Sequence, residues 1–340
     1  MVVDNLVKEF KVYERGSGLT GSLRTLLSRD YRLVRAVDHV SFEIEEGAKV
    51  AYIGANGAGK STTIKMLTGV MTPTSGSCLV GGIEPYRQRR LAARRMGVVF
   101  GQRTQLWWDL SVPDAFRILR RVYEIPDPVY HRNMALYREL LDIDALGTAP
   151  VRTLSLGQRM RAEVAASLVH DPAVLFLDEP TIGLDLFLKD AVRELINRVN
   201  RDLGTTVVLT SHDLNDIAAI CDWVLVIDRG RVIHQGTISG LLATADQRCI
   251  VVNANGRHPA AEIASAVHRH LPGVRAQPTD GGRVEVCYPP DRVSSRAVLS
   301  FLLDRFDIGE WYAPEPDLAG VIRAIYASPA VPAGRDGTAC

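Results

Sequence analysis

Lys49-Val50-Ala51-Tyr52-Ile53, an apolar run typical of a buried strand, leads directly into Gly54-Ala55-Asn56-Gly57-Ala58-Gly59-Lys60-Ser61-Thr62. The second segment has the form G-x-x-x-x-G-K-[ST] of a phosphate-binding loop, and the amphipathic residues after it predict a helix. A strand, a glycine-rich loop and a helix in this order aim backbone N–H groups and a positive helix N-terminus at phosphate oxygens. The sequence therefore predicts a nucleoside triphosphate site.

The residue types in this loop match that chemistry. Glycines let the backbone curl around the phosphates, while Lys60 is expected to bridge the β- and γ-phosphates. The Ser61 hydroxyl is expected to bind Mg²⁺. The predicted phosphate-loop residues are Gly54, Asn56, Gly57, Gly59, Lys60, Ser61 and Thr62.

Length and composition limit the class of protein. The 340 residues allow two domains, and the net charge of +1 gives no indication of a nucleic-acid partner. No apolar run approaches the roughly 18–20 residues that span a bilayer, and the first residues lack a signal-peptide pattern. We therefore expect a cytoplasmic protein whose membrane role, if it has one, is peripheral. The five scattered cysteines contain no C-x-x-C pair, which favours reduced thiols over a disulfide framework or a zinc site.

Strands that alternate with helices predict an α/β domain over residues 1–245, with a mostly parallel sheet and an edge strand at 2–13. An insertion at 14–35 has leucines at helical spacing among arginines. It is either a basic amphipathic helix at a membrane surface or a solvated insertion that packs its leucines on its own domain. Mostly helical sequence over about 103–170 predicts an inserted helical subdomain. Residues 246–327 predict a small α+β domain, and the Pro/Gly-rich tail 328–340 is expected to be disordered.

Polar residues at the ends of two further apolar strands extend the predicted site. Asp178 and Glu179 follow a buried-strand run, and they have the residue types needed to hold the hydrated Mg²⁺ and to deprotonate the attacking water. His212 ends another apolar strand, from which its side chain is expected to reach the γ-phosphate. Leu154-Ser155-Leu156-Gly157-Gln158 opens a helix about twenty residues before Asp178.

These elements together resemble the ATP-binding cassette (ABC) ATPases over nearly all of residues 1–240. After the phosphate loop come Gln102 as the Q-loop, LSLGQ at 154–158 as the signature, VLFLDE at 174–179, Asp185 as the D-loop and His212 as the switch histidine. The usual signature is LSGGQ, and position 156 here is Leu. The residues that the family uses against phosphate correspond to Ser155 and Gly157, which are both present.

The resemblance implies a P-loop NTPase fold and a mechanism that depends on two cassettes. ATP and Mg²⁺ would lie between the phosphate loop of one cassette and the signature of another, in a homodimer or a heterodimer. Ser155, Gly157, Gln158 and Asp185 would then act across the interface, and Gln102 would contact the metal and couple the site to an integral membrane permease. The adenine would stack on an aromatic residue, for which Phe10 matches the family best and Tyr13 and Tyr31 are rivals.

Within the family the chain resembles the cassettes of drug and polysaccharide exporters. The indications are the LTSHD and EPTIGLD segments, the insertion before the second strand and the short C-terminal domain. Trp107 and Trp108 either line a groove for the permease or pack in the core. The alternatives are a soluble ABC ATPase that acts on ribosomes or DNA, and an importer subunit. The former usually carries two cassettes or a long coiled-coil insertion, and the latter a larger β-rich domain.

Overall fold

The computed structural model describes residues 1–13, 31–101, 104–243, 248–254, 256–314 and 318–327. Contacts within the chain define two units, Met1–Thr237 and Ile238–Pro329. The second unit thus begins before residue 246, because the short helix Ile238–Ala243 contacts the helix Leu318–Ala327 of the same unit. The predicted tail 328–340 and residues 14–30 of the predicted insertion lie outside the described residues.

A six-stranded sheet forms the centre of the first unit. Its order is β5-β6-β7-β3-β8-β9, and its strands are parallel except for β9, which pairs antiparallel with β8. The carboxyl ends of β3, β6 and β7 therefore lie at one edge, which is where α/β sheets bind ligands. The strands are β3 (Lys49–Gly54), β5 (Met96–Phe100), β6 (Val174–Asp178), β7 (Thr206–Thr210), β8 (Trp223–Asp228) and β9 (Arg231–Thr237).

A second, antiparallel sheet of the first unit has the order β2-β1-β4. Its strands are β1 (Val2–Tyr13), β2 (Tyr31–Glu43) and β4 (Ser75–Leu79). The prediction of an edge strand at 2–13 is wrong, because β1 lies between the other two. Its partner on the second side, β4, is far from β1 in sequence, and a local residue pattern cannot predict a pairing of this kind.

Helices cover the six-stranded sheet and form the region between β5 and β6. Packing within this region buries Phe116 and Tyr137, whereas Trp107 and Trp108 are 43% and 53% exposed. The core-packing interpretation of the two tryptophans is therefore wrong. The helices are α1 (Lys60–Leu67), α2 (Arg89–Arg95), α3 (Val112–Val122), α4 (Asp127–Leu141), α5 (Leu156–Leu168), α6 (Leu186–Leu203) and α7 (Leu214–Ile220).

The second unit contains a β-α-β-β-α-β arrangement with sheet order β11-β12-β10-β13, the split βαβ pattern. Buried residues such as Val252, Val267, Val286 and Leu302 form a core between the sheet and two helices. Its elements are α8 (Ile238–Ala243), β10 (Arg248–Ala254), α9 (Ala260–His270), β11 (Arg275–Thr279), β12 (Arg283–Tyr288), α10 (Ser295–Arg305), β13 (Ile308–Tyr312) and α11 (Leu318–Ala327). The predicted fold class, an α/β cassette followed by a small α+β unit, is confirmed.

The prediction that the cysteines are reduced thiols is wrong for one pair. Cys249 on β10 and Cys287 on β12 are direct cross-strand neighbours and form a disulfide. Their 38-residue separation in sequence hides this proximity, because only the antiparallel register brings them together. Cys78 and Cys221 are buried free thiols, and Cys340 lies outside the described residues.

Within the described residues, no helix has both the length and the apolar character needed to cross a membrane.

Candidate functional site

The phosphate loop is shaped by glycines in left-handed backbone conformations. Gly57 has a φ of 82°, and Gly59, with a φ of 104°, precedes the first residue of α1. A Cβ at Gly59 would lie 2.4 Å from the Ala36 carbonyl oxygen on β2, so only glycine fits there. The loop is held from the other side by the Gly230 N–H, which donates to the Ala58 carbonyl at 2.9 Å.

A buried carboxylate fixes β2 beside this loop. The Asp38 N–H donates to the Gly230 carbonyl at 2.8 Å, and its carboxylate accepts hydrogen bonds from Arg231 at 2.6 Å and Arg35 at 2.9 Å. Burial acts to raise the pKa of Asp38, but the two arginines outweigh it and lower that pKa overall. Asp38 therefore stays ionised and holds the wall of the site that contains Ala36.

The Lys60 ammonium group folds back over the loop. It donates to the carbonyl oxygens of Gly54 and Ala55, the latter at 3.2 Å. Desolvation lowers the pKa of Lys60, although the negative charges of Glu179 and Asp178 oppose this effect. The ammonium group thus lies among the loop carbonyls, where a phosphate oxygen would be a stronger partner.

Asp178 and Glu179 follow one another at the carboxyl end of β6. The Thr210 hydroxyl donates to Asp178 Oδ1 at 2.6 Å, which fixes this carboxylate at the sheet edge. The backbone then turns sharply, because Glu179 has a φ of 57°, a conformation that costs energy for a residue with a Cβ. The Glu179 N–H donates to the Thr210 carbonyl at 3.0 Å, so both residues are anchored to β7.

The Glu179 carboxylate faces His212. Its Oε2 accepts a hydrogen bond from the His212 backbone N–H at 3.2 Å, and its Oε1 lies 3.6 Å from His212 Nε2. Oε1 is buried and has no hydrogen-bond partner among the described residues. Burial raises the pKa of Glu179, although the N–H and the charge of His212 oppose it. A carboxylate with a raised pKa and an unpartnered oxygen is suited to accept a proton from water.

These side chains converge on one pocket of about 350 Å³. Of the predicted site residues, it brings together Asn56, Gly57, Gly59, Lys60, Ser61, Thr62, Asp178, Glu179 and His212. Sequence reasoning missed four of the lining residues, Ala36, Ala55, Gly101 and Ile182. Ala55 lies inside the recognised loop, whereas Ala36 is a small residue of β2 for which the sequence carries no signal.

The oxygen groups of this pocket fit a magnesium ion. Mg²⁺ prefers carboxylate, hydroxyl and phosphate oxygens, and the pocket wall contains the Ser61 hydroxyl and the Asp178 carboxylate. The unpartnered Glu179 Oε1 adds a nearby buried acceptor. Gln102, the third predicted metal residue, lies outside the described residues.

The predicted signature residues lie on another part of the first unit. Ser155 precedes the first residue of α5 and forms a capping box with Gln158, whose N–H donates to Ser155 Oγ at 3.2 Å. Ser155 is exposed, and Gly157 and Gln158 are partly exposed, but none of the three lines the pocket. The helix N-terminus therefore faces outward with its residues already ordered.

The D-loop lies against the signature. A Cβ built on Gly157 would be 3.5 Å from Leu184, and one on Gly183 would be 2.4 Å from Leu156. The Leu156 side chain, at the position where the family usually has glycine, thus covers Gly183. Asp185 caps α6, because its Oδ1 accepts from the Leu188 N–H at 2.9 Å.

The predicted adenine-stacking residues lie on the β1–β2 hairpin and do not line the pocket. Phe10 is 36% exposed, with the Lys8 ammonium 5.5 Å from its ring centroid. Tyr31 is also exposed, with Lys11 at 4.6 Å from its ring centroid. Tyr13 ends β1 and pairs with Tyr31. The assignment of the adenine partner stays a prediction.

A phosphate loop at the carboxyl edge of a mostly parallel sheet, with an acidic pair at the end of β6, two strands away from β3, defines a nucleotide-binding P-loop protein. The model of the family described as "ABC transporter" matches residues 37–182. The chain is 30% identical over 210 residues to the ABC transporter ATP-binding protein NatA of Bacillus subtilis, which covers 62% of this chain and 85% of NatA. It is 36% identical over 231 residues to the Nod factor export ATP-binding protein I of Ralstonia nicotianae, covering 68% and 71% of the two chains. The chain belongs to the family of ABC transporter ATP-binding proteins.

The relatives include importers as well as exporters. The methionine import ATP-binding protein MetN of Geobacillus kaustophilus is 36% identical over 209 residues, which are 60% of this chain and 61% of MetN. Among solved structures, the dimeric post-hydrolysis state of an ATP-binding cassette bound to ADP and Pi has a TM-score of 0.58. At 21% identity it covers 70% of this chain and 98% of its own, and this likeness supports the fold.

Proposed function

We propose that this protein is the ATP-binding and ATP-hydrolysing subunit of an ABC exporter that works with a separate membrane permease. One observation carries this proposal: Lys60, Asp178, Glu179 and His212 line a single pocket in which a buried Glu179 oxygen lacks a partner. An anion-binding loop, an acid for a metal and a base for water are the groups that phosphoanhydride hydrolysis requires. On this basis the protein binds at the inner face of the cell membrane through its permease.

The roles of the residues follow from their positions. The loop N–H groups and Lys60 bind the phosphates. Ser61 and Asp178 would hold a Mg²⁺ ion, which would supply positive charge against the phosphate oxygens. Glu179 accepts the proton of the attacking water through an oxygen with a raised pKa. His212 keeps that carboxylate in place through its backbone N–H and contacts the terminal phosphate with its exposed side chain.

The signature and the D-loop act on a second cassette. Ser155, Gly157 and Gln158 lie outside the pocket of their own chain, yet they present a capped helix N-terminus of the kind that binds anions. Leu186 and Phe187, which follow the D-loop residue Asp185, are 66% and 86% exposed and form an apolar surface suited to a protein partner. We infer that two cassettes pair head to tail and that ATP closes them around two shared sites.

We propose export as the direction of transport, and two observations support this choice. The match covers 71% of the Nod factor export protein but 61% of the methionine import protein. The exposed Trp107 and Trp108 lie between β5 and α3, soon after the predicted Q-loop residue Gln102. Exposed tryptophans of this kind are typical anchors for a partner protein, and we assign them to the permease.

A trapped variant tests the proposal. Glu179→Gln, which binds ATP without hydrolysing it, is expressed with a tag in the native host and purified with Mg²⁺-ATP after gentle solubilisation. A membrane protein with several spans should co-purify in stoichiometric amount, and Lys60→Ala, which cannot bind the nucleotide, should retain less of it. Ribosomal proteins or DNA-repair factors in its place would overturn the transporter assignment.

The direction of transport is tested with the complex of cassette and permease, reconstituted in proteoliposomes so that the cassettes face the medium. Solute captured with the permease should accumulate inside the vesicles when ATP is added outside. ATP-driven release from the lumen would identify an importer and overturn the exporter assignment.

A further inference from the structure

A buried carboxylate behind the pocket contacts both catalytic loops. Asp216, in the first turn of α7, is completely buried. Its Oδ1 accepts hydrogen bonds from the Arg193 guanidinium of α6, one of them from Nε at 2.8 Å. Its Oδ2 accepts from the Thr181 hydroxyl and, at 3.5 Å, from the Ser211 hydroxyl. One carboxylate thus receives hydrogen bonds from a helix and from two separate loops.

The two loops hold the groups that act on water. Thr181 comes two residues after Glu179 in the loop that follows β6, and Ser211 comes directly before His212 in the loop that follows β7. Ser211 Oγ also accepts from the Asp213 N–H at 3.0 Å, which reinforces the second loop. The separation between Glu179 and His212, and with it their 3.2 Å hydrogen bond, is therefore set in part by Asp216.

A buried ion pair is suited to such a positional role. Burying charge is costly, so each oxygen must keep its hydrogen-bond partners, and a satisfied network has few alternative arrangements. The strained φ of 57° at Glu179 also requires surroundings that hold it in place. The network reaches α6, whose capping residue Asp185 belongs to the predicted D-loop.

We propose that Asp216 is a positioning residue for ATP hydrolysis: it locks the Glu179 and His212 loops together through Thr181, Ser211 and Arg193. This inference rests on the proposed function. It assigns Asp216 to the chemical step and not to nucleotide binding, because the phosphate loop is fixed separately by Ala36 and Gly230.

Steady-state kinetics of the full-length protein test this assignment. Asp216→Asn keeps the shape but removes the charge, and we expect kcat to fall about tenfold to a hundredfold, as for small misplacements of catalytic groups. KM for ATP should stay within about threefold, since binding groups are untouched.

A second pair of variants tests the hydrogen bond between Thr181 and Asp216 and leaves the ion pair between Asp216 and Arg193 intact. Thr181→Val deletes the hydroxyl that links the Glu179 loop to Asp216, and kcat should fall about tenfold. Thr181→Ser restores the hydroxyl and should recover most of this loss. These variants decide the question even if Asp216→Asn does not fold.

A carboxylate far from the pocket supplies the control. Asp171 pairs with Arg132 and accepts from Asn133 at 2.8 Å, so Asp171→Asn also breaks an ion pair and should leave kcat within about twofold. Unchanged kcat in folded Thr181→Val and Asp216→Asn, or a rise in KM without a fall in kcat, would overturn the inference. If the wild-type protein hydrolyses ATP and Glu179→Gln does not, such a result overturns only the role of Asp216, and the proposed function stands. If the wild-type protein does not hydrolyse ATP, the proposed function itself is overturned.

Discussion

The first unit has a phosphate-loop side, formed by the residues that line the pocket, and a signature side, formed by Ser155, Gly157 and Gln158. Only the phosphate-loop side encloses a pocket among the described residues. On the first side, side chains from three strand ends converge on a pocket, and Glu179 is partly withdrawn from solvent. On the second, Ser155 forms a capping box with Gln158, but Ser155 is exposed and neither residue lines that pocket. The two sides thus differ in exposure and in the groups that they present. On the proposed function, one chain would supply the reacting half of one site and the stabilising half of another.

The largest expected effect is on the phosphate-loop side. Lys60→Ala removes the ammonium group that lies among the loop carbonyls, and Mg²⁺-ATP should no longer stabilise the protein. In the wild type, ligand at one hundred times its Kd should add about 2.7 kcal/mol to the free energy of unfolding. Thermal unfolding with and without nucleotide measures the difference. Equal protection of wild type and variant would show that the nucleotide binds elsewhere.

The next largest expected effect distinguishes ATP hydrolysis from ATP binding on the phosphate-loop side. Glu179→Gln keeps the size of the side chain but removes the base, so kcat should fall at least about a hundredfold. ATP binding should persist, and the variant should accumulate as a dimer in size-exclusion chromatography with Mg²⁺-ATP. Near-normal turnover would remove Glu179 from this role.

A mixing experiment addresses the two sides together. Ser155→Arg blocks the signature, and Lys60→Ala blocks the phosphate loop, so each variant alone should be inactive. If the signature acts on the partner's nucleotide, co-refolded mixtures should recover about a quarter of wild-type activity, since half of random dimers contain one intact composite site. Mixtures without recovery would mean that each chain completes its own site, and the comparison above would not hold.

A smaller expected effect is on the pH dependence of ATP hydrolysis at the phosphate-loop side. Burial raises the pKa of Glu179, and a general base must be deprotonated to act. The acid limb of the kcat–pH profile should therefore lie above the range of an exposed glutamate. The charge of His212 lowers this pKa, so His212→Ala should move the limb to still higher pH. A shift to lower pH would contradict the geometry.

The sequence predicted most fully those site residues that the ends of parallel strands bring together. The phosphate loop, Asp178, Glu179 and His212 each follow an apolar run, and parallel strands place such residues at one edge. It could not reveal contacts that depend on tertiary packing. Asp216 looks like an ordinary acid in a first helical turn, although Arg193, 23 residues earlier, and the Thr181 hydroxyl enclose it. The Cys249–Cys287 disulfide was hidden for the same reason, since it follows from strand register.

The smallest expected effect concerns the residue in which the signature departs from its family. Leu156 covers Gly183 and is 42% exposed, so it adds apolar surface next to the helix N-terminus without touching the pocket. Leu156→Gly should cost up to about 1 kcal/mol in helix stability. It should change kcat by less than about threefold, because Ser155 and Gly157 keep their positions. Leu156→Ala, which retains helix propensity, separates the two contributions in unfolding and ATPase measurements. A large loss of activity in both variants would mean that Leu156 itself contacts the partner cassette, and that the exposed signature surface is specific to this chain.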